Sequence, residues 1–204
     1  MAAPLAVLNV GGVANVTFWS GGEDIAAFAT GPGNGMIDLL MQSRGAGRFD
    51  EGGKYASVGQ ADEVVLSGLL AHPYFQAPPP KSLDRYDFSL ETLEALRLVD
   101  AAATLVAFTA EALKLGFNVM GGTPTELIVC GGGRRNPTLM AAFAERLAVP
   151  VTTAEDHGWR GDSIEAEAFA YLAARTARGL PISFPKTTGV AAPMTGGRIA
   201  RPNR

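Results

Sequence analysis

The sequence has 204 residues, a length that predicts one large domain or two small ones. Apolar residues make up 47% of the chain and charged residues 18%, and the 25 glycines indicate many tight backbone positions in a globular protein. Seventeen basic against twenty acidic residues give a net charge of −3, which argues against the basic surface that binding to nucleic acid requires. A single cysteine excludes an intrachain disulfide, and with two histidines it argues against a His/Cys zinc site.

The N-terminus lacks the basic start of a signal peptide. The longest regular apolar run, residues 101–110, is far short of the ~20 residues that a membrane-spanning helix needs. We therefore expect a cytoplasmic protein that does not bind membranes or nucleic acid.

The first third of the chain predicts an antiparallel meander of three strands. Apolar runs over residues 5–10 and 13–19 flank Gly11-Gly12, a two-residue turn typical of a hairpin, and residues 23–29 follow a second glycine turn. The segment 31–34 is expected to break the third strand, and a helix is predicted over residues 35–43.

Helices dominate the predicted middle of the chain. Residues 44–59 are glycine-rich and polar and predict a loop, residues 61–70 a helix, and residues 89–117 one or two helices. The prolines at 73 and 78–80 favour extended backbone between them.

The last third alternates strand and helix. Residues 126–130 predict a strand buried on both faces, Asn136-Pro137 opens a helix to about residue 147, residues 149–153 predict a strand and residues 162–178 a helix, before an irregular tail. The predicted fold class is thus α/β, with a mixed sheet built from the meander plus a β-α-β-α unit and with inserted helices. This is the element order of a ribonuclease-H-like lobe of the actin-like ATPases, although several other α/β folds share such a pattern.

Two glycine segments near the meander are candidate anion sites. Asn9, Gly11 and Gly12 lie at the hairpin turn, where backbone N–H groups can approach a phosphate, although an ordinary tight turn explains the same residues. Residues 31–34 lie at the start of a helix, where free N–H groups attract anions, and capping by Asn34 is the alternative.

A third glycine segment follows the buried strand. Gly131, Gly132 and Gly133 stand where open α/β sheets bind nucleotides, at the carboxyl end of a strand. The segment is not a dinucleotide fingerprint, because Asn136 occupies the position of the third glycine, and the chain has no P-loop. Further on, Asp162 and Glu165 have the spacing of a capping box, which competes with a catalytic role for Glu165.

Five motifs in order resemble the anhydro-N-acetylmuramic acid kinase family over residues 5–202. They are LNVGGVANV at 8–16, TGPGN at 30–34, PYF at 73–75 with PPPKS at 78–82, VCGGG at 129–133 with NP at 136–137, and GDSIEA at 161–166. Each motif is weak alone, but their order and intervals are specific to the family.

The resemblance implies an actin-like sugar kinase that uses ATP and Mg²⁺. Water would open the anhydro ring of 1,6-anhydro-N-acetylmuramic acid while the 6-oxygen takes the γ-phosphoryl group, giving N-acetylmuramate 6-phosphate in peptidoglycan recycling. The residues that the resemblance implicates are Asn9, Gly11, Gly12 and Asn15 for phosphate, Gly131, Gly132, Gly133 and Asn136 for the adenosine side, Gly31, Pro32, Gly33 and Asn34 for the cleft by the sugar, and Glu165 as an acidic residue facing the sugar.

Two features depart from the family. Its first phosphate loop and its general-base aspartate belong to an N-terminal lobe, and nothing in these residues matches either. Ala29 also stands where the family usually has an acidic residue. We therefore expect residues 1–204 to form a single C-terminal lobe that is inactive without a partner lobe. A non-catalytic nucleotide-binding or interaction module, a truncated gene product and a two-chain kinase are the alternatives, and a homodimer stays open.

Overall fold

A computed structural model describes residues 2–84 and 86–200 of the chain. These residues form a five-stranded mixed sheet in the order β3-β2-β1-β4-β5. The strands are β1 (Leu5–Val10), β2 (Val13–Gly21), β3 (Asp24–Pro32), β4 (Glu126–Cys130) and β5 (Val151–Thr153). The first three pair antiparallel, while β4 pairs parallel with both β1 and β5. The predicted meander and β-α-β-α unit are confirmed, with the strand order of a ribonuclease-H-like lobe.

Six α-helices accompany the sheet within the described residues. They are α1 (Asn34–Ser43), α2 (Glu63–Leu70), α3 (Leu98–Met120), α4 (Pro137–Leu147), α5 (Ile164–Ala177) and the short α6 (Pro185–Thr188). The core lies where α3 packs with the sheet and the other helices, and Phe108 of α3 is fully buried. Phe75 and Phe88 meet the Phe108 ring edge-on at centroid distances of 5.6 and 5.3 Å. In the described part of the chain, no helix has the length and hydropathy to cross a membrane.

Strand β3 is longer than predicted. Gly31 and Pro32 do not break it but pair with Ala14 and Val13 of β2. Pro32 is tolerated because it stands at the end of an edge strand, and a Cβ on Gly31 would lie 2.8 Å from the Cβ of Ala112 on α3. Glycine here allows the close approach of strand and helix.

Pro73 does not stand in extended backbone as predicted but begins a 3-10 turn at Pro73–Gln76, since proline is tolerated in the first turn of a helix. Two other segments are more ordered than predicted. The polar loop 44–59 contains 3-10 turns at Glu51–Gly53 and Ala56–Val58, because the buried Asp50 carboxylate accepts hydrogen bonds from the N–H groups of Tyr55 (2.9 Å) and Ala56 (3.0 Å). The tail also contains α6 and an isolated bridge between Ser183 and Met194.

The proline-rich segment closes the outer edge of β3. The N–H of Ala29 donates to the Lys81 carbonyl at 3.1 Å, and the Tyr74 hydroxyl donates to the Ala29 carbonyl. The Lys81 ammonium donates to the Tyr74 carbonyl at 2.8 Å. Burial raises the pKa of Tyr74 to about 12, so the phenol remains a donor at neutral pH. The backbone of Ala29 is therefore hydrogen-bonded on both sides without an acidic side chain at that position.

Candidate active site

The hairpin turn between β1 and β2 holds the start of α1. The N–H groups of Gly33 and Gly35 donate to the Gly12 carbonyl at 3.0 Å each, and that of Asn34 donates to the Gly11 carbonyl at 2.8 Å. A Cβ on Gly33 would lie 2.6 Å from the Gly11 oxygen, and one on Gly35 would lie 2.7 Å from the Gly12 oxygen. Glycine at 33 and 35 thus allows the two backbones to meet, whereas a Cβ on Gly11 or Gly12 would have room.

This contact changes the expected chemistry at the start of α1. Three N–H groups that could have attracted an anion already donate to the hairpin. The residue that caps the helix is Gly33 rather than Asn34, and Asn34 Nδ2 points to the Val10 carbonyl at 3.4 Å. Gly31, Pro32 and Gly33 are buried, whereas Asn34 is half-buried and lines a cavity.

The first cavity lies between α1, the loop around Asp50 and the start of α4, and its volume is about 310 Å³. Its lining residues are Asn34, Ile37, Asp38, Phe49, Asp50, Gly52, Gly132, Arg135 and Asn136. Phe49 is 55% exposed, which is unusual for a phenylalanine. A flat ligand entering this cavity would find an aromatic face at its wall.

The second cavity lies between the sheet and the start of α5, and its volume is about 380 Å³. Its lining residues are Asn9, Cys130, Gly131, Gly132, Arg134, Gly161, Asp162, Ile164, Glu165 and Ala168. Gly132 borders both cavities, so one extended ligand could pass from the first to the second along the glycine loop.

The three glycines of this loop have different surroundings. Gly131 has φ +74° and ψ −176°, a conformation open almost exclusively to glycine, and a Cβ there would overlap the Asn9 side chain. A Cβ on Gly133 would lie 2.5 Å from the Val10 side chain. A Cβ on Gly132 would have its nearest neighbour 3.9 Å away, at Asn34 Nδ2. Gly131 and Gly133 therefore fix the loop, while Gly132 leaves open space for a ligand.

The asparagines take three different positions. Asn136 caps α4 as predicted, its Oδ1 accepting from the N–H groups of Thr138 and Leu139 at 3.1 Å each, with Pro137 in the first turn. Asn9 is exposed at the end of β1 and borders the second cavity. Asn15, also exposed, is its partner across the hairpin.

A buried arginine dominates the electrostatics of the second cavity. The Arg134 side chain is 5% exposed, and its guanidinium donates to Glu155, to Asp162 and to the Gly131 carbonyl, each at 2.8 Å or slightly longer. Arg135 pairs with the other oxygen of Asp162. Hydrogen bonding to Arg134 lowers the pKa of both carboxyls and raises that of the guanidinium, so all three stay charged at neutral pH.

This cluster rules out the capping box, one of the two interpretations that the spacing of Asp162 and Glu165 left open. The Asp162 carboxylate is taken by the two arginines, α5 begins at Ile164, and Ser163 precedes it without a side-chain cap. Glu165 is therefore not part of a cap, and it is exposed at the wall of the second cavity. The structure brings Glu165 into one cavity with Asn9, Gly131 and Gly132.

Sequence reasoning missed Phe49 and Arg134. The only signal for Arg134 was its place directly after the glycine loop, and Phe49 lay in a segment interpreted as an unstructured loop. Cys130 is buried in β4 as predicted, and burial raises the pKa of its thiol. In residues 2–84 and 86–200, no group of three His, Cys, Asp or Glu side chains is arranged to hold a metal ion.

Comparison with solved structures supports the fold. The chain resembles xylulose kinase from Bifidobacterium adolescentis with a TM-score of 0.50 and 18% identity, over 75% of this chain and 34% of that one.

Comparison with known sequences assigns the family. The curated relatives of this chain include two anhydro-N-acetylmuramic acid kinases. The one from Phenylobacterium zucineum is 76% identical over 199 residues, and the one from Caulobacter vibrioides is 67% identical over 199 residues. Each alignment covers 98% of this chain and 54% of the relative, so the chain spans about half the length of these relatives. The family model described as anhydro-N-acetylmuramic acid kinase matches residues 2–202, and the chain belongs to this family.

Proposed function

We propose that this chain is the C-terminal lobe of an ATP-dependent kinase of 1,6-anhydro-N-acetylmuramic acid, acting in peptidoglycan recycling in the cytoplasm. The observation that carries the proposal is Gly132 of the glycine loop, which borders both cavities in a chain of this family. In the proposed reaction, water attacks the anomeric carbon, the anhydro bridge opens, and the released 6-oxygen takes the γ-phosphoryl group of ATP.

The nucleotide is proposed to lie along the glycine loop. The first cavity, with Phe49 at its wall and Asn136 beside it, would take the adenosine. Gly132, which has open space where a Cβ would be, lets the chain of phosphates pass close to the backbone toward Asn9 and the hairpin. Phosphoryl transfer depends on positioning and charge neutralisation, which backbone donors supply. Mg²⁺ would be held mainly by phosphate oxygens and water, and no residue of this chain is assigned to it.

The sugar is proposed to bind at the second cavity. Glu165 is exposed there, and its carboxylate would accept a hydrogen bond from the sugar. The base that activates the attacking water is assigned to the lobe that this chain does not contain. Loss of a general base costs about 10²–10⁴-fold in rate, so we expect the chain to be inactive alone.

The surface of α5 supports a partner lobe. Phe169 and Tyr171 are 65% and 61% exposed, and aromatic side chains are enriched at protein interfaces. The half of the relatives' length that this chain does not match is the candidate that would cover these side chains. We propose that this missing lobe packs against α5 and closes the second cavity.

A coupled assay of ADP release tests the function. The chain is mixed with ATP, Mg²⁺ and the anhydro-sugar, with and without the unmatched half of the Phenylobacterium zucineum relative. We expect turnover only in the complete mixture, and Glu165→Gln to lower it by about 10- to 10²-fold, the loss of one charge-assisted hydrogen bond to the sugar. Glu167→Gln is the matched control, because Glu167 lies on the same helix and pairs with Arg160 instead of lining the cavity.

Three outcomes separate the alternatives. Turnover by the chain alone would contradict the half-enzyme proposal. ADP binding without turnover in the complete mixture would favour a non-catalytic nucleotide-binding module. Turnover with other sugars but none with the anhydro-sugar would contradict the proposed substrate.

A further inference from the structure

The second cavity has two walls that come from distant parts of the sequence. One wall is the glycine loop after β4, and the other is the turn that leads into α5 and carries Glu165 toward the cavity. If the nucleotide follows the first wall and the sugar the second, the distance between the two walls sets the distance between phosphoryl donor and acceptor.

Arg134 donates hydrogen bonds to both walls of the second cavity. Its Nη1 donates to the Gly131 carbonyl at 2.8 Å, and its Nη2 donates to Asp162 Oδ1 at 2.8 Å, two residues before α5 begins. Glu155 accepts along the edge formed by Nε and Nη2, with Oε1 2.9 Å from Nε and 2.8 Å from Nη2, and Oε2 3.0 Å from Nε. A planar guanidinium carries five N–H donors in fixed directions, whereas an ammonium group carries three donors that rotate about a flexible stem.

The packing around this arginine leaves little freedom. The side chain is 5% exposed, and a Cβ on Gly161 would lie 2.5 Å from Arg134 Nε. Glycine at 161 thus lets the turn before α5 lie directly on the guanidinium. Packing this tight fixes both the separation and the relative orientation of the glycine loop and the turn before α5.

We propose that Arg134 is a positioning residue that holds the nucleotide loop and the start of α5 at the separation required for phosphoryl transfer. The proposal rests on the proposed function, since it assigns the two walls to the two substrates. Arg134 acts through Gly131 and Asp162 and need not touch either substrate. A shift of 1 Å in a reacting geometry can cost about 10²-fold in rate.

The first test measures kcat and KM of the chain mixed with the unmatched half of the Phenylobacterium zucineum relative. We expect Arg134→Met to lower kcat by about 10²-fold and Arg134→Lys to lower it less, because lysine keeps the charge but has three donors in place of five. Arg146→Met is the matched control, since Arg146 also pairs with two carboxylates, Glu111 and Glu63, but lies on α4 away from both cavities. A folded Arg134→Met variant with the kcat and KM of wild type would overturn the proposal.

A double-mutant cycle separates positioning from simple stability. Glu155 does not line the cavity but holds the guanidinium, so Glu155→Gln should lower kcat several-fold in wild type and have no further effect beside Arg134→Met. Effects that add fully would mean that Glu155 does not act through Arg134, and the proposal would fail.

Amide hydrogen exchange of the chain alone tests whether Arg134 links the two walls, and it requires no kinase activity. We expect Arg134→Lys to raise exchange in residues 131–133 and 162–166 together, and Arg146→Lys to change neither. Unchanged exchange in both segments would overturn the proposal even if the kinase reaction is confirmed. Raised exchange in both segments, with no turnover by the wild-type chain mixed with the other half, would contradict the proposed function but not the link that Arg134 makes between the walls.

Discussion

Helices α3 and α5 are both long and rich in alanine, yet they place their apolar side chains in opposite surroundings. Thirteen of the 23 residues of α3 are buried, including Phe108 and Leu113. None of the 14 residues of α5 is buried by the rest of the described chain. Phe169 on α5 is 65% exposed, whereas Phe108 on α3 is fully enclosed.

The difference separates the part of the chain that packs within this lobe from the surface that we propose for a partner lobe. Helix α3 completes a core with the sheet and with Phe75 and Phe88, and it needs nothing further. The turn before α5 is held through Asp162 and the two arginines, and Arg175 near the end of the helix donates to the Pro181 carbonyl, but Phe169 and Tyr171 between them are exposed. We infer that α5 belongs as much to the interface with the missing lobe as to this one.

Truncating the two phenylalanines should give the largest contrast. Phe108→Ala removes a fully buried ring and should lower the free energy of unfolding by about 3–5 kcal/mol. Phe169→Ala should change it by no more than about 0.5 kcal/mol in the isolated chain, because the ring is exposed, yet it should weaken association with the missing lobe. Urea unfolding and a titration with that lobe measure the two effects. Equal losses of stability in the two variants would break the comparison.

Two neighbouring glycines provide a contrast of intermediate size. Gly131→Ala should cost about 1–3 kcal/mol, because alanine rarely adopts φ +74° with ψ −176°. Gly132→Ala should leave stability within about 0.5 kcal/mol, since its Cβ has room, but should weaken ADP binding because that room borders both cavities. Thermal unfolding and calorimetric titration with ADP and Mg²⁺ measure the two effects. Wild-type ADP affinity in Gly132→Ala would show that the nucleotide does not use this space.

The smallest expected effect is a dependence on acid pH. The pKa values of Glu155 and Asp162 lie below their ordinary values of 4.5 and 3.8, mainly because of Arg134. Depressed carboxyl pKa values mean that the stabilisation is complete above those ordinary values and is lost as the pH falls through the lower folded ones. The melting temperature of wild type should therefore fall more steeply from pH 5 to pH 2 than that of Arg134→Met. Parallel curves for the two proteins would contradict the assigned cause.

Local signals explain why much of the fold could be predicted. The Gly11-Gly12 hairpin and the start of α4 at Asn136-Pro137 depend on residues adjacent in sequence, and both are confirmed. The end of β3 could not be predicted in this way. Gly31 and Pro32 read locally as a break, but pairing with β2 and the close approach of α3 keep them in the strand.

The candidate site was harder to predict because its contacts are distant in sequence. Local spacing allows Asp162 to act as a helix cap, but in the structure its carboxylate is held by Arg134, 28 residues earlier in the sequence. The start of α1 looked like an anion site until the hairpin carbonyls of Gly11 and Gly12 were found to accept its N–H groups. Composition and spacing carry no trace of either contact. The roles of the glycine loops, Asn9 and Glu165 remain predictions from the family resemblance.

Amide hydrogen exchange of α3 and α5 tests the central claim that this chain is one lobe of a two-lobe kinase. The chain is measured alone and then with the unmatched half of the Phenylobacterium zucineum relative in the presence of ADP and Mg²⁺. The account predicts that α3 is protected in both samples and that α5 becomes protected only when the second half is added. Equal protection of α5 with and without that half would contradict it.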